Sequence, residues 1–309
     1  MPTEGMNRRF ADIDLLPTRE AVMVMAEAQV EAAAAVRPQA EALARAAEEA
    51  AERLRDRSGR LVYVGAGTSG RLAVLDGVEL GPTFGWSADR LLYGLAGGDA
   101  ALMRSVENAE DDAAAGSEFV RSAGLSRSDV VIGVAASGTT PFTVAAIREA
   151  SLAGALTVGF ASNAGTPLLV AAQHPIFLDT GAEPVSGSTR MKAGTAQKIA
   201  LNLFSTAIMI RLGHVHEGLM VDMRVSNRKL RGRAIAIVAE ISGADASAAE
   251  AALDVTGNHI KTAVLVAMGM DVDKAGHLLA ASDNDLRSAI AVFRRAAEPP
   301  NAFPFHKPG

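Results

Sequence analysis

The chain has 309 residues, 49% of them hydrophobic, and a formal net charge of −5. This length predicts one large or two small domains, and the charge leaves no basic field for nucleic acid. The absence of cysteine excludes disulfides, thiolate nucleophiles and cysteine metal sites. The N-terminus shows no apolar signal core, and no apolar run approaches the roughly 20 residues that cross a bilayer. We therefore expect a cytoplasmic protein that binds neither nucleic acid nor membrane.

Predicted strands and helices alternate through most of the chain. Strands that alternate with helices of about 10 to 20 residues are typical of a parallel sheet with helices on both faces. The fold class predicted here is therefore α/β. In chain order we predict helices over 17–56, a strand over 60–64, a helix over 69–80, a strand over 91–96, a helix over 99–122, a strand over 129–135, a helix over 140–153, a strand over 156–160, a short helix over 166–172, a strand over 175–178 and a long helix over 190–212.

The sequence changes character after about residue 220. Short helices with polar caps replace the alternating pattern, and the last eleven residues contain four prolines and a glycine, which is typical of an extended tail. The helices are predicted over 227–240, 245–250, 258–268, 271–281 and 283–297. The predicted segments are an N-terminal helical segment (1–56), a three-layer αβα domain (57–220), a small C-terminal helical domain (221–298) and the tail (299–309).

Three loops rich in Gly, Ser and Thr each follow a predicted strand and precede a predicted helix. They are Gly65–Gly70, Ala135–Pro141 and Gly181–Arg190. Backbone N–H groups and the positive end of the helix dipole hold anions at such helix starts, and hydroxyls add further donors. Ligands of parallel sheets bind beyond the carboxyl ends of the strands, where all three loops fall. The sequence therefore predicts a site for a phosphorylated small molecule.

The first two loops have alternative interpretations. Gly65–Gly70 matches G-x-G-x-x-G, but a dinucleotide site would need an acidic residue at the end of the next strand, which closes with Gly97-Gly98 instead. Gly65–Gly70 could also be a tight turn that binds no ligand. Ser137–Thr140 could simply cap the helix that follows it. The sequence lacks G-x-x-x-x-G-K-[ST], so a nucleoside triphosphate is not expected.

Charged residues near the third loop also allow two interpretations. Arg190 and Lys192 could neutralise a phosphate or carboxylate, or they could belong to a solvated helix start. Glu183 could bind a substrate hydroxyl or pair with these cations. His214 and His216 form an H-x-H pair without further ligands nearby, so we expect no metal site.

Three motifs are specific enough to indicate a family. They are Gly65–Arg71, the Ser-Gly-x-Thr-Pro set at Ser137–Pro141, and Ser-Gly-Ser-Thr-Arg-Met-Lys-Ala-Gly-Thr-Ala-Gln-Lys at Ser186–Lys198. Together they resemble the N-acetylmuramic acid 6-phosphate etherases; glucokinase regulatory protein, a much longer chain, shares part of the third motif. The resemblance implies a sugar isomerase (SIS) fold for the sheet domain and a ubiquitin-associated-like (UBA-like) bundle at the C-terminus. It extends to Thr3-Glu4-Gly5, Ala96-Gly97-Gly98, Glu107–Asp111 and Leu219–Asp222.

The family reaction implied by this resemblance cleaves the D-lactyl ether of N-acetylmuramic acid 6-phosphate with water. N-acetylglucosamine 6-phosphate and D-lactate are formed when C2 loses a proton, lactate is eliminated and water adds. Such a carbon–oxygen lyase needs no cofactor or metal, and the family also implies a homodimer. A phosphosugar aldose–ketose isomerase and a non-catalytic phosphosugar-binding regulator are the alternatives.

The resemblance also implies roles for individual residues. On periodicity alone, Glu79 and the acidic cluster around Glu110 are typical of solvated helix faces. The family's catalytic carboxylates nevertheless fall on these two positions, with Glu79 as the acid for departing lactate and Glu110 as the base at C2. The residues expected to bind the phosphate and the sugar are Gly67, Thr68, Ser69, Ser137, Gly138, Thr139, Thr140, Glu183, Ser186, Ser188, Thr189 and Lys192.

Overall fold

The computed structural model describes residues 2–56 and 58–297. They form two compact units, which we call the sheet unit (up to Pro82, and Trp86–Arg211) and the helical unit (Thr83–Gly85, and from Leu212 onward). The four-segment division made from the sequence stays a prediction, and its tail, 299–309, lies outside the described residues.

The sheet unit contains five strands in one parallel sheet. They are β1 (Leu61–Gly65), β2 (Leu91–Leu95), β3 (Val130–Val134), β4 (Leu156–Ala161) and β5 (His174–Phe177). Their order is β2-β1-β3-β4-β5, and every neighbouring pair is parallel. All five predicted strands are confirmed, with ends shifted by at most one residue. The predicted α/β fold class is confirmed as well.

Eight helices of the sheet unit surround these strands within the described residues. Most follow the predicted helices closely. They are α1 (Thr18–Ala34), α2 (Ala40–Leu54), α3 (Gly67–Phe84, whose last two residues cluster with the helical unit), α4 (Ala100–Met103), α5 (Ala113–Ser122), α6 (Pro141–Leu152), α7 (Pro167–Ala171) and α8 (Lys192–Arg211).

One face of the sheet is built for close helix packing. Gly94, Gly133 and Gly159 lie on this face, where a Cβ at each would collide with α5, α6 or α7. The collisions would be with Phe119 at 2.7 Å and Ile147 at 2.6 Å for the first two glycines. Glycine at these positions therefore allows the three helices to approach the strands.

The opposite face carries α2, α3 and α8, which the buried carboxylate of Asp76 on α3 helps to hold. It accepts hydrogen bonds from Tyr63 Oη on β1 at 2.9 Å, and from Asn202 Nδ2 and Ser205 Oγ on α8 at 2.6 and 3.2 Å. Nearby, the Phe160 and Phe204 rings meet edge to face at 6.0 Å between centroids. The layers above and below the sheet establish the αβα arrangement.

Two helix predictions for the sheet unit are wrong in detail, and in the helical unit the helix predicted over 245–250 extends to Val255. The helix predicted over 99–122 is interrupted after Met103, where Arg104 is extended (φ −137°, ψ 151°). Asn108 is then left-handed (φ 60°), and Asp112 caps the new start of α5 through Ala115 N. The helix predicted to stop near Pro82 continues to Phe84. Proline has no N–H to donate to Val78 O, so α3 lacks that hydrogen bond in its last turn and ends two residues later.

The helical unit consists of five helices and a short hairpin within its described residues. Its core is aliphatic and includes Val238, Leu253, Val264 and Leu265. No helix in residues 2–56 and 58–297 is long and apolar enough to span a bilayer. The elements are β6 (Val215–His216), β7 (Leu219–Met220), α9 (Arg228–Ser242), α10 (Ala246–Val255), α11 (Ile260–Ala267), α12 (Val272–Ala281) and α13 (Leu286–Ala297).

We predict that Asp76→Asn is tolerated and that Asp76→Ala is not. An asparagine retains an oxygen for Asn202 and Ser205, and its amide can donate to Tyr63. Alanine leaves these buried groups without an acceptor, which costs about 2 to 4 kcal/mol of unfolding free energy. Urea unfolding of both variants at pH 7 measures the difference, and equal stability of the two would contradict the assigned network.

The same carboxyl predicts a pH dependence of stability. Burial raises the pKa of Asp76, although its hydrogen bonds partly oppose the shift. The folded protein therefore holds this proton to a higher pH than the unfolded chain does. The free energy of unfolding should decrease as pH rises through the raised pKa, and Asp76→Asn should remove that decrease in a urea series from pH 4 upward.

Candidate functional site

The three Gly/Ser/Thr loops meet at the carboxyl edge of the sheet. The first follows β1 and the second follows β3, which is the neighbour of β1. The third loop follows β5 and leads into α8. Its helix start lies beside the start of α3, since a Cβ at Gly194 would be 3.7 Å from Thr68 Cγ2. The predicted convergence of the loops follows from this topology.

The first loop is a tight strand-to-helix turn. A Cβ at Gly65 would lie 2.7 Å from Gly70 Cα, and a Cβ at Gly70 would lie 2.5 Å from Leu95 Cδ1. Glycine is therefore required at both ends of the turn. Ser69 is buried and donates its hydroxyl to Gln197 Oε1 on α8 at 3.0 Å. Thr68 is half-buried and lies in the first turn of α3, an 18-residue helix whose N-terminus favours an anion.

The second loop folds around its own hydroxyls. Thr139 N donates to Ser137 Oγ at 3.2 Å, and Ser137 Oγ lies 3.4 Å from Thr140 Oγ1. All three side chains are half-buried, and they directly precede α6. Gly138 has φ 72° and packs against Thr166, so that a Cβ there would overlap the threonine hydroxyl. Hydroxyls and the helix start thus face the same edge.

The third loop is fixed by a buried carboxylate. Glu183 accepts hydrogen bonds from the backbone N–H groups of Lys192 at 2.8 Å and Ala193 at 2.9 Å, and so caps α8. Burial raises its pKa, while the two backbone hydrogen bonds act in the opposite direction. Ser188 and Thr189 are half-buried, and Ser186 donates to the backbone oxygen of Glu4 at 2.9 Å. The predicted substrate role of Glu183 stays a prediction beside this capping role.

The cations of the third loop differ in environment. Lys192 is buried, and its Nζ lies 3.2 Å from Glu31 Oε2 on α1. Glu31 also pairs with Arg9. Lys192 therefore ties α8 to α1 in this structure, whereas Arg190 is exposed.

The two predicted catalytic carboxylates lie in different places. Glu110 is exposed in the turn Ala109–Asp111, which packs against α6 and precedes α5. The start of α5 meets the start of α6, because a Cβ at Gly116 would overlap Phe142 O. Glu110 is therefore close to the second loop. Glu79 is exposed on α3, about 18 Å along the helix from its first residue.

Sequence reasoning missed Asn163 and Gln197. Asn163 is buried, and its amide donates to Ala136 O at 3.2 Å and Ser137 O at 3.3 Å. It thereby joins the segment after β4 to the second loop. Gln197 lies inside the recognised third motif, but its bond to Ser69 depends on the packing of α8 against α3. Asn163 could not be predicted from the sequence, because a single asparagine after a strand matches no functional motif.

His214, from the H-x-H pair, lies in a polar cluster of the helical unit. Asp222 Oδ2 lies 2.8 Å from His214 Nδ1 and 2.5 Å from Lys261 Nζ. Across the part of the chain that the structure describes, no group of three or more His, Asp or Glu side chains could hold a metal ion.

Relatives of nearly full length identify the family. A Deinococcus radiodurans protein named N-acetylmuramic acid 6-phosphate etherase is 48% identical over 93% of this chain and 94% of its own length. A Streptomyces avermitilis protein of the same name is 44% identical over 96% and 95%. The chain belongs to the N-acetylmuramic acid 6-phosphate etherase family. The resemblance inferred from the three motifs is confirmed.

Two further comparisons concern the fold of this family member. Residues 42–151 match the model of the glucokinase regulatory protein N-terminal SIS domain. A Bacteroides fragilis crystal structure, provisionally described as a phosphosugar isomerase involved in capsule formation, superposes with a TM-score of 0.51 at 18% identity. The superposition covers 65% of this chain and 95% of the Bacteroides fragilis chain. At this identity the likeness shows the fold alone, which is the predicted SIS-type sheet.

We predict that Gly138→Ala weakens binding of inorganic phosphate by about 10-fold or more, the loss of roughly one hydrogen bond to a charged group. A methyl group at this left-handed position would displace Thr166 and with it the second loop. Gly124→Ala is the matched control, since Gly124 is also left-handed (φ 57°) but has open space around it. Calorimetric titration with phosphate compares the two variants. Equal affinities would contradict a phosphate site in the second loop.

Proposed function

We propose that this protein cleaves the D-lactyl ether of N-acetylmuramic acid 6-phosphate, giving N-acetylglucosamine 6-phosphate and D-lactate. The observation that carries the proposal is the near-full-length identity of 44% to 48% with proteins named for this activity. The three loops at one sheet edge support it, because they offer the donors that a sugar phosphate needs without a metal.

The phosphate is proposed to bind where α3 and α6 begin. Thr68, Ser137, Thr139 and Thr140 are half-buried there and keep access to the edge. Two helix N-termini add favourable partial charge. Anchoring the phosphate at this end places the sugar toward the third loop, where Ser188 and Thr189 can contact it.

The ether bond is proposed to break by elimination, since an alkyl ether resists direct hydrolysis. The ring-opened sugar has an aldehyde at C1, which acidifies the C2 proton. Glu110 removes that proton, the C2 electrons form a C2–C3 double bond, and the C3–O bond breaks as Glu79 protonates lactate. Water then adds its oxygen to C3 and gives a proton back to Glu79, while Glu110 returns its proton to C2. Each acid or base contributes about 10² to 10⁴ in rate.

The position of Glu79 is explained if the site is shared between two subunits. In its own subunit Glu79 lies about 18 Å along α3 from Gly67, where the helix begins within the first loop. Leu75, one turn before Glu79 on α3, and Val78, directly before Glu79, are 49% and 47% exposed, and Leu203 on the neighbouring α8 is 53% exposed. An exposed apolar patch around a functional carboxylate favours a protein partner.

A second copy is the partner that this patch fits. In a two-fold dimer, the same patch covers itself, and α3 packs antiparallel to its symmetry mate. An axis near Leu75 then places Glu79 beside the first turns of the partner's α3, where the phosphate loop begins. We therefore propose a homodimer in which each Glu79 serves the site of the other subunit.

We predict that Glu79→Gln and Glu110→Gln each lower turnover by at least about 10² while binding of N-acetylglucosamine 6-phosphate is retained. Glutamine keeps the shape of the side chain but cannot exchange the proton. Lactate release in ¹⁸O water measures the reaction, and the wild type should place the label at C3 of the sugar. An isomerase would release no lactate, and a regulator would be indifferent to both substitutions.

A mixed-dimer experiment tests the shared site. Co-expressed Glu79→Gln and Glu110→Gln subunits form heterodimers in which one site has both carboxylates and the other has neither. An equal mixture should recover about a quarter of the wild-type activity, because random pairing makes half of the dimers mixed. If both carboxylates came from one subunit, the mixture would stay as inactive as either variant alone.

A further inference from the structure

The segment Thr3–Gly5, which we call the N-terminal clasp, lies at the carboxyl edge of the sheet. Thr3 is fully buried despite its position near the chain end. Its backbone N–H donates to Asn163 Oδ1 at 3.3 Å, and its Oγ1 accepts from Asn163 Nδ2 at 2.9 Å. A pair of hydrogen bonds to one buried amide fixes both the backbone and the side chain of this residue.

The clasp also holds the third loop. Gly187 N donates to Thr3 O at 3.3 Å, and Ser186 Oγ donates to Glu4 O at 2.9 Å. Since Asn163 also bonds to Ala136 O and Ser137 O, the clasp connects the second loop with the third. The chain thus brings its first residues to the two loops proposed to hold the phosphate and the sugar.

The carboxylate of Glu4 takes no part in these contacts. The hydrogen bonds of the clasp use its backbone oxygen, and among the described residues no hydrogen bond or ion pair engages its side chain. The carboxylate lies over Gly187, because a Cβ at that glycine would meet Glu4 Oε2 at 2.9 Å. A fixed backbone therefore presents an exposed, unpaired carboxylate above the third loop.

We propose that Glu4 is a sugar-binding residue whose carboxylate accepts hydrogen bonds from hydroxyl or amide N–H groups of the bound phosphosugar. A carboxylate repels phosphate, so it suits the sugar end of the ligand. The half-buried hydroxyls of the second loop suit the phosphate end. This assignment rests on the proposed function only in taking a phosphosugar as the ligand; it does not depend on lactate elimination.

The test compares Glu4→Gln with wild type for two ligands, N-acetylglucosamine 6-phosphate and inorganic phosphate. The substitution removes the charge and preserves shape, so the sugar phosphate should bind about 10-fold to 100-fold more weakly while phosphate binds at least as tightly. Glu52→Gln is the control, since Glu52 is exposed near the end of α2, just before β1 begins at the opposite edge. Titration calorimetry gives the four dissociation constants.

A second variant separates the carboxylate from the clasp. Thr3→Ala removes the acceptor for Asn163 Nδ2 and should weaken binding of the sugar phosphate by releasing Glu4. If Thr3→Ala weakens binding but Glu4→Gln does not, the clasp is only structural and the assignment of Glu4 is overturned. Equal weakening for both ligands in Glu4→Gln would overturn it too.

The proposed reaction can fail independently of this assignment. Wild-type protein that binds the sugar phosphate, loses that binding in Glu4→Gln and releases no lactate would refute the etherase reaction and support the role of Glu4. If the wild type releases lactate and Glu4→Gln binds the sugar phosphate as tightly as the wild type does, the etherase reaction is supported and the role of Glu4 is refuted.

Discussion

The arrangement of the candidate site depends on the hydrogen bonds that the buried carboxylate of Asp76 accepts. It joins β1, α3 and α8 through Tyr63, Asn202 and Ser205. Since α3 begins with the first loop and α8 follows the third, the same contact sets the distance between two parts of the site. The bond from Ser69 to Gln197 repeats this connection at the edge itself. A change in how α3 packs against β1 and α8 would therefore move the first loop and Glu79 together.

The polar residues of the three loops divide into those that build the edge and those that stay accessible. Ser69, Glu183 and Lys192 are buried and engaged by other parts of the chain. The remaining hydroxyls of the second and third loops, apart from the exposed Ser186, are half-buried. Buried groups that are hydrogen-bonded within the protein hold the loops in place, and the half-buried donors remain available to the anion proposed to bind there.

The two carboxylates proposed to be catalytic lie in different parts of the sheet unit: Glu79 on α3 and Glu110 in the turn Ala109–Asp111, after β2. Glu110 lies near the second loop of its own chain, whereas Glu79 is exposed on α3 beside the exposed Leu75 and Val78. A helix is rigid over this length, so Glu79 cannot reach the first turn of its own α3 by a local movement. The proposed exchange of Glu79 between subunits would make assembly a condition for catalysis.

The sequence by itself determined the α/β fold, the five strands and the three loops, because strand–loop–helix patterns and glycine positions are local properties. It also determined the family, through the Ser186–Lys198 motif. It did not reveal the break in the helix predicted over 99–122, where Arg104 is extended and Asn108 is left-handed, or the pairing of Lys192 with Glu31. Nor did it reveal Asn163 as the link between Thr3 and the second loop. Those contacts join residues far apart in the chain, as in the 160-residue separation of Thr3 and Asn163, and only tertiary packing brings such residues together.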